Sequence, residues 1–285
     1  LQDAPETTAE LNLEEISPEA GRALLRVKGV RGNDADLKAT AIRFGNQALA
    51  LSLLGAYLYD IPGHPVTEAT TISELDIPVE AGRHSKSVMA AFERRFGEGP
   101  ELQLLRVLGL FDRAAEDAWI QAVLAPPAIK SLTSDLQGLS DGEWLRLLER
   151  LRRTGLLAPQ SRHCREIIDT HPLVREFFGQ RLLENLASAW QEGHSRLFEF
   201  FEHATDELPE NLERMVPLYM AVSHACKAGR AVEALENVFV PRIRRGHIHF
   251  SIHQLGVLGS ELSVLAGFFK QPWIGIDEDL DPSSQ

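Results

Sequence analysis

The chain has 285 residues, of which 44% are hydrophobic and 25% are charged, a composition typical of a globular protein with about two or three domains. The formal net charge of -12 argues against a large nucleic-acid surface, because such a surface concentrates Lys and Arg. Cys164 and Cys226 are far apart, which indicates neither a disulfide framework nor a cysteine zinc site and favours a reducing compartment. The longest apolar run, residues 48–58, is about half the ~20 residues that a membrane span needs. We therefore expect a cytoplasmic protein that does not enter a membrane.

The first part of the chain predicts a helical domain over residues 17–97, preceded by a linker of residues 1–16 that ends in a short strand. Ser17 and Pro18 favour a helix start, because serine caps a first turn and proline fits the first helical position. The run at residues 48–58 is apolar on almost every side, which predicts a buried helix. In chain order, the expected helices cover residues 18–28, 35–44 with Asp34 as the cap, 48–58 and 85–96, with mostly loop around one short helix at 59–83.

The second part, residues 98–186, predicts a winged-helix domain, whose layout is three helices, a β-hairpin and a further helix. A capping box at Ser140 and Glu143 starts the third helix, and apolar residues follow at helical spacing. The final helix begins abruptly at Pro172. In chain order, the expected elements are helices at 102–108, 114–124 and 141–154, strands at 156–160 and 166–170, and a helix from 172.

The third part, residues 187–272, predicts a helical arm. Two helices, 215–228 and 231–240, are expected to pair across a turn at Gly229, and a further apolar helix covers 255–269. Such a hairpin is typical of tetratricopeptide-like proteins, although no repeat of about 34 residues is visible. Residues 273–285 form an acidic tail that we expect to be frayed. The predicted fold class is therefore mainly α, with a short β-hairpin.

His171 is the sharpest candidate for a binding residue. It or Thr170 caps the helix that starts at Pro172, so an imidazole lies beside backbone N–H groups that have no helical acceptor. Such a place suits an anion, above all a phosphate. From the residues alone, a histidine that merely caps the helix through nearby backbone groups is the favoured alternative.

Two segments resemble STAND ATPases, the signal-transduction NTPases with NACHT or NB-ARC modules. The segment Phe44-Gly45-Asn46-Gln47-Ala48-Leu49-Ala50-Leu51 resembles the G-x-P-L-A-L segment of their first helical domain, with Ala48 where the family usually has proline. The segment Thr170-His171-Pro172-Leu173-Val174 resembles the M-H-D-L-V motif of their winged-helix domain, with Pro172 in place of the aspartate.

This resemblance implies a regulatory section of a nucleotide-switched ATPase. His171 would contact the β-phosphate of bound ADP, and Gln47, Ala48 and Leu49 would line the adenine pocket. The chain contains no G-x-x-x-x-G-K-[ST] sequence, so it is not expected to be catalytic on its own. The phosphate loop and the magnesium ligands would lie in an upstream nucleotide-binding domain. Downstream repeats would sense a ligand, and exchange of ADP for ATP would allow homo-oligomerisation.

Two other classes of function compete with this one. Arg146, Arg150, Arg152 and Arg153 lie on the third helix of the predicted winged helix, where a transcription regulator reads the major groove, although the net charge makes DNA the less favoured partner. A helical scaffold that binds no nucleotide is the third alternative.

A metal site is not expected. His247, His249 and His253 are close in sequence, but no cysteine or carboxylate completes a ligand set nearby. Cys226 has no obvious base partner and is expected to be a buried small residue.

Overall fold

The computed structural model describes residues 15–73, 82–160, 166–271 and 274–276. These residues form fourteen α-helices and two pairs of short strands, which confirms the prediction of a mainly α fold. The predicted strand at 11–13, the turn 161–165 with Cys164, and most of the acidic tail lie outside the described residues. None of the described helices is both long and apolar enough to cross a membrane.

The helices are short to medium in length and follow one another with brief connections. In chain order they are α1 Pro18–Val27, α2 Asp34–Arg43, α3 Ala48–Tyr59, α4 Ala69–Ser73, α5 Arg83–Phe96, α6 Pro100–Leu108, α7 Asp117–Leu124, α8 Asp141–Arg153, α9 Pro172–Asn185, α10 Ala187–His203, α11 Leu212–Lys227, α12 Ala231–Ala234, α13 Phe250–His253 and α14 Leu258–Leu265. A π-helical stretch, Leu235–Arg244, continues directly from α12.

The described residues fall into two compact units. The first unit contains residues up to 102 together with 140–160 and 169–177, and the second contains 103–139, 166–168 and the residues from 178 onward. The predicted first helical domain, 17–97, lies in the first unit and the predicted arm, 187–272, in the second. The residues of the predicted winged-helix domain, 98–186, are divided between the two, and the predicted domain boundaries stay predictions.

In the first unit, α1 packs on α2 and α3, and α3 packs on α5. The Ser17 side chain accepts a hydrogen bond from the Ala20 N–H, as predicted for the start of α1. The start of α2 was predicted one residue late, because the cap is Asn33, whose side chain accepts from the Asp36 N–H. Buried leucines of α3, such as Leu51 and Leu54, form the centre of this unit.

The predicted hairpin of strands 156–160 and 166–170 is wrong. The strand Ile167–Ile168 (β2) pairs instead with Ala115–Glu116 (β1), antiparallel, a segment predicted to be helical. Residues 156–160 form no strand, although the Ala158 N–H donates a backbone hydrogen bond to the Asp169 carbonyl at 2.8 Å. The physical reason is Pro159, which has no N–H to donate to a strand partner.

The end of the described chain also differs from the prediction of helix followed by a frayed tail. Phe269–Gln271 (β3) and Ile274–Ile276 (β4) form an antiparallel pair in which Phe269 is opposite Ile276. Two isoleucines that alternate with Gly275 favour extended backbone, because β-branched side chains fit a strand better than a helix.

In the second unit, α10 and α11 pack side by side over most of their length. Leu197 and Phe198 of α10 and Leu218 and Val222 of α11 are buried in their common core. Gly229, with φ of 75°, reverses the chain after α11, which confirms the predicted turn. The helix predicted after it, 231–240, is α12 followed by the π-helical stretch Leu235–Arg244.

Candidate functional site

His171 is exposed at the start of α9. Its ring Nδ1 accepts a hydrogen bond from the Leu173 N–H at 3.2 Å, and its carbonyl accepts from the N–H groups of Val174 and Arg175 at 2.8 and 3.2 Å. The capping role that the residues alone favoured is therefore present. Because Nδ1 accepts, a neutral ring carries its proton on Nε2, which becomes a donor to a group outside the helix.

The backbone of this helix start is less available to an anion than the sequence predicted. Pro172 has no N–H, and the next three N–H groups are all used by His171 itself. The prediction of free backbone donors is therefore wrong, because the ring and the carbonyl of His171 accept the hydrogen bonds of these N–H groups. A phosphate at this place would be contacted by the His171 imidazole, with the helix dipole as a weaker contribution.

The corner that carries His171 is held by a network in the same unit. The Arg175 guanidinium, mostly buried, donates to the Asp169 carboxylate at 2.8 Å and to the Thr170 carbonyl at 2.6 Å. The Thr170 hydroxyl donates to the Leu156 carbonyl. The imidazole is therefore mounted on a segment whose position is fixed by charge-assisted and buried hydrogen bonds.

The predicted adenine segment lies at the start of α3. Gly45 and Asn46 adopt positive φ angles of 65° and 50°, which turn the chain sharply between α2 and α3. Gln47 stands at the N-cap without a side-chain capping bond, Ala48 is exposed and Leu49 is half-buried. The first backbone N–H groups of a helix have no acceptor within the helix. Ala48 and Leu49 therefore present both backbone donors and apolar surface.

Both predicted halves of the nucleotide site pack on the first turn of α5. A Cβ atom on Gly45 would lie 2.7 Å from the His84 ring, and a Cβ atom on Gly82 would lie 2.7 Å from the Leu173 side chain. The corner at Gly45 and the start of α9 therefore approach the same short segment, residues 82–84. No sequence pattern indicated this connection, because residues 59–83 were predicted to be mostly loop.

The first turn of α5 contains three basic residues, Arg83, His84 and Lys86, of which the last two contribute little net positive charge. Burial lowers the pKa of His84, and the neighbouring guanidinium of Arg83 lowers it further. Lys86 forms an ion pair with Glu176 of α9 at 3.0 Å. Positive charge and a helix N-terminus favour an anion in the same way.

The arginines of α8 are only partly available to a partner. Arg150 is paired with Glu101 and lies 5.8 Å from the centre of the Phe96 ring. The Nε atom of Arg152 is buried without a hydrogen-bond partner in the described part of the chain. Arg146 and Arg153 are exposed. One arginine in an ion pair and a second with a buried Nε atom weaken the DNA-reading alternative.

The histidines at 247, 249 and 253 do not form a ligand set. The rings of His249 and His253 contact each other at 5.9 Å, and Arg244 lies 3.3 Å from His249 Nε2. Within the described residues, no group of three or more His, Cys, Asp and Glu side chains could hold a metal ion.

A buried histidine pair was missed by the sequence reasoning. His194 on α10 and His224 on α11 are 0% and 5% exposed, and their Nδ1 atoms are 2.7 Å apart. Phe201 stacks on His224, and Trp190 contacts His194 edge-on. The signal was available: His194 precedes Leu197, Phe198 and Phe201 at helical spacing, which places it on the apolar face.

Burial sets the charge state of this pair. It lowers the pKa of His224 to about 3 and that of His194 well below its usual range. The positive charge of Lys227 acts in the same direction as burial on both rings. At neutral pH both rings are therefore neutral, one donating and the other accepting through Nδ1.

The stretch from His224 to Arg230 has a structural role in the second unit. The Arg230 guanidinium donates to Ser195 at 2.6 Å and to Glu199 at 2.8 Å on α10, and pairs with Glu233 at 2.6 Å. It thereby ties the turn at Gly229 to α10.

Comparison with known proteins gave no match, either to models of protein families or to curated protein sequences.

Proposed function

We propose that this chain is the regulatory section of a nucleotide-switched STAND ATPase. Residues 17–97 serve as its first helical domain, 98–186 as its winged-helix domain, and 187–272 as the start of a helical sensor arm of tetratricopeptide type. The observation that carries the proposal is the placement of His171: exposed, fixed at the start of a 14-residue helix, with Nδ1 occupied and Nε2 directed to act as a donor.

In this proposal His171 contacts the β-phosphate of ADP through Nε2. Arg83 in the first turn of α5 supports the negative charge of the nucleotide, and the start of α3 supplies the adenine contact. Ala48 and Leu49 offer apolar surface and backbone donors to the base, while the Gln47 side chain, free of capping duty, offers a hydrogen bond. The phosphate loop and magnesium come from the partner nucleotide-binding domain.

The switch follows from a two-state contact. Bound ADP holds the section and its nucleotide-binding domain in a closed arrangement, because the His171 contact exists only there. A ligand on downstream repeats favours exchange of ADP for ATP, and the released section then allows homo-oligomerisation in the cytoplasm. A charge-assisted hydrogen bond is enough to bias such an equilibrium when the two states differ by a few kcal/mol.

The test is the rate of ADP release from the polypeptide that joins this section to its nucleotide-binding domain. His171→Ala should accelerate release of fluorescent ADP by about 10- to 100-fold, since a hydrogen bond to a charged group contributes about 1.5–3 kcal/mol. Basal oligomerisation should rise with it. His203→Ala, which removes an exposed histidine of the second unit, is the matched control and should leave release unchanged.

An unchanged release rate and unchanged basal oligomerisation in His171→Ala would exclude the imidazole as the phosphate contact. Because Leu173 loses its ring acceptor in that variant, His171→Asn separates the two roles. Asparagine restores a cap to the helix, so a variant that folds normally yet releases ADP quickly assigns the effect to the phosphate contact.

A further inference from the structure

A polar cleft of about 370 Å³ lies in the second unit. Its walls are α11, α14 with the turn after it, and the turn that follows α6. Its volume falls in the range of small-molecule sites. No sequence motif indicated this cleft, and it plays no part in the proposed nucleotide switch.

One buried polar group of the cleft lining is poorly satisfied. Tyr219 is 7% exposed, and its hydroxyl is buried near Ser251 and Glu261 without a hydrogen bond of normal geometry among the described residues. Burial and, to a smaller extent, the Glu261 carboxylate raise the pKa of Tyr219 to about 12, while Ser251 acts in the opposite direction. The phenol therefore remains a donor at neutral pH. Buried donors without acceptors are uncommon, because leaving one unsatisfied destabilises the fold.

The charge of the cleft is positive. Asp112 and Arg113 pair with each other through two hydrogen bonds of 2.8 and 3.2 Å, so their charges cancel. His224 also faces the cleft and is neutral, because burial lowers its pKa to about 3. Lys227 remains, and no described carboxylate lies within ion-pairing distance of its ammonium group.

The environment of Lys227 favours the binding of an anion. Lys227 is a solvent-exposed residue of the cleft lining; neighbouring protein atoms still remove enough hydration to lower its pKa, and the Asp112 carboxylate acts in the opposite direction. An anion placed against the ammonium would restore the lost stabilisation of its charge. Hydroxyl groups of Ser223, Ser260 and Ser263 line the same space and can complete the coordination of an anionic oxygen.

The remaining wall is apolar. Val216, Met220 and Val264 line the cleft, which is more hydrocarbon surface than a bare inorganic anion would use. A polar end and an apolar end within one cleft are the usual arrangement for an organic ligand.

We propose that this cleft binds a small organic anion, whose carboxylate or phosphate oxygens contact Lys227 and the serine hydroxyls while its hydrocarbon part lies on Val216, Met220 and Val264. This assignment stands independently of the nucleotide switch, because every group that it uses lies in the second unit and none belongs to the predicted ADP site.

Methyl NMR of methionine tests the proposal with a probe inside the cleft. The chain has three methionines, of which Met220 lines the cleft and Met89 is buried on α5 in the first unit. Benzoate, which has an anionic and an apolar end, should shift the Met220 methyl signal in a saturable way and leave Met89 unmoved. Benzyl alcohol, its neutral counterpart, should bind at least tenfold more weakly.

Variants test what the charge of Lys227 and the hydroxyl of Tyr219 contribute to binding. Lys227→Met keeps the length of the side chain and removes its charge, and should weaken benzoate binding at least tenfold, whereas Lys227→Arg should retain most of it. Tyr219→Phe removes a hydroxyl that has no accessible surface in the cleft and should leave binding nearly unchanged. Lys130→Met, at an exposed lysine of the same unit that does not line the cleft, is the matched control and should bind as the unaltered protein does.

Three results would overturn the proposal. The first is the absence of any saturable shift of Met220 with benzoate. The second is binding by Lys227→Met that equals the control. The third is a shift with inorganic phosphate but none with benzoate, which would leave an ion site without an organic ligand. Unfolded variants are recognised by the Met89 and Met215 signals, because both side chains are buried, one in each unit.

Discussion

The free energy of unfolding of the unaltered protein should fall by about 4 kcal/mol between pH 6.5 and pH 4.5 because of His194 and His224, and replacing both with leucine should abolish this loss. Both rings have pKa values below the range of an unfolded histidine, which is about 6.5. The unfolded chain therefore binds more protons than the folded chain as the pH falls below that value. Folding is penalised progressively over this interval, and above about pH 6.5 the penalty disappears because both rings are neutral in both states.

The size of the effect follows from linkage. Each histidine contributes up to about 1.4 kcal/mol per pH unit while the unfolded ring is charged and the folded ring is not. The pair is buried against Trp190 and Phe201, so leucines have apolar neighbours and the double variant should be close to the unaltered protein at neutral pH. Replacing only one of them would leave the other ring without its hydrogen bond.

Urea unfolding at a series of pH values measures this directly. The unaltered protein should lose stability steeply below about pH 6.5, and the double leucine variant should keep only the shallower dependence due to other groups. His247→Gln, at an exposed histidine, is the control and should retain the steep dependence. Parallel curves for the unaltered protein and the double variant would show that the pair does not govern acid sensitivity.

Gly109→Ala should destabilise the protein by about 3 kcal/mol, at the upper end of the usual effect of adding a methyl group to a packed site. A Cβ atom on Gly109 would lie 2.5 Å from the backbone nitrogen of Gly179 and 2.7 Å from its Cα. A backbone cannot change rotamer to make room, so the end of α6 and α9 would have to separate. Gly179→Ala should behave alike, because its Cβ would lie 2.5 Å from the Gly109 carbonyl oxygen.

The double variant sharpens this prediction. Once one alanine has separated the two segments, the second adds little, so the combined loss should be clearly smaller than the sum of the single losses. Gly142→Ala in α8 is the matched control: its nearest neighbour would be a flexible arginine terminus at 3.6 Å, and alanine in a helix should stabilise by up to about 1 kcal/mol. Additive losses at 109 and 179, or a gain at 109, would contradict the close approach.

Helix starts were the part of the fold that could be predicted from the sequence. The cap at Ser17 and the capping box at Ser140 and Glu143 were recognised and are present, because a cap depends on residues only three positions apart. Strand pairing was not predicted correctly. Ile167–Ile168 pairs with a segment about 50 residues earlier, and nothing local in the sequence distinguishes that partner from the one excluded by Pro159.

In the candidate sites too, features that depend on neighbouring residues could be predicted, and features that depend on distant residues could not. His171 could be found because the proline after it marks a helix start, and its capping hydrogen bond is a local consequence. The use of every nearby N–H by His171 itself depends on rotamer and backbone geometry, which a sequence does not show. The His194–His224 pair and the cleft at Lys227 depend on how α10, α11 and α14 pack, so only the three-dimensional structure brings those residues together.

The nucleotide switch is tested most directly by the nucleotide content of the purified polypeptide that contains this section and its nucleotide-binding domain. Extraction and quantification should yield close to one ADP per chain from the unaltered protein and much less from His171→Ala, while His203→Ala retains the full amount. Absence of bound nucleotide from the unaltered protein, or equal ADP in all three proteins, would contradict the role of His171 as the contact that holds ADP.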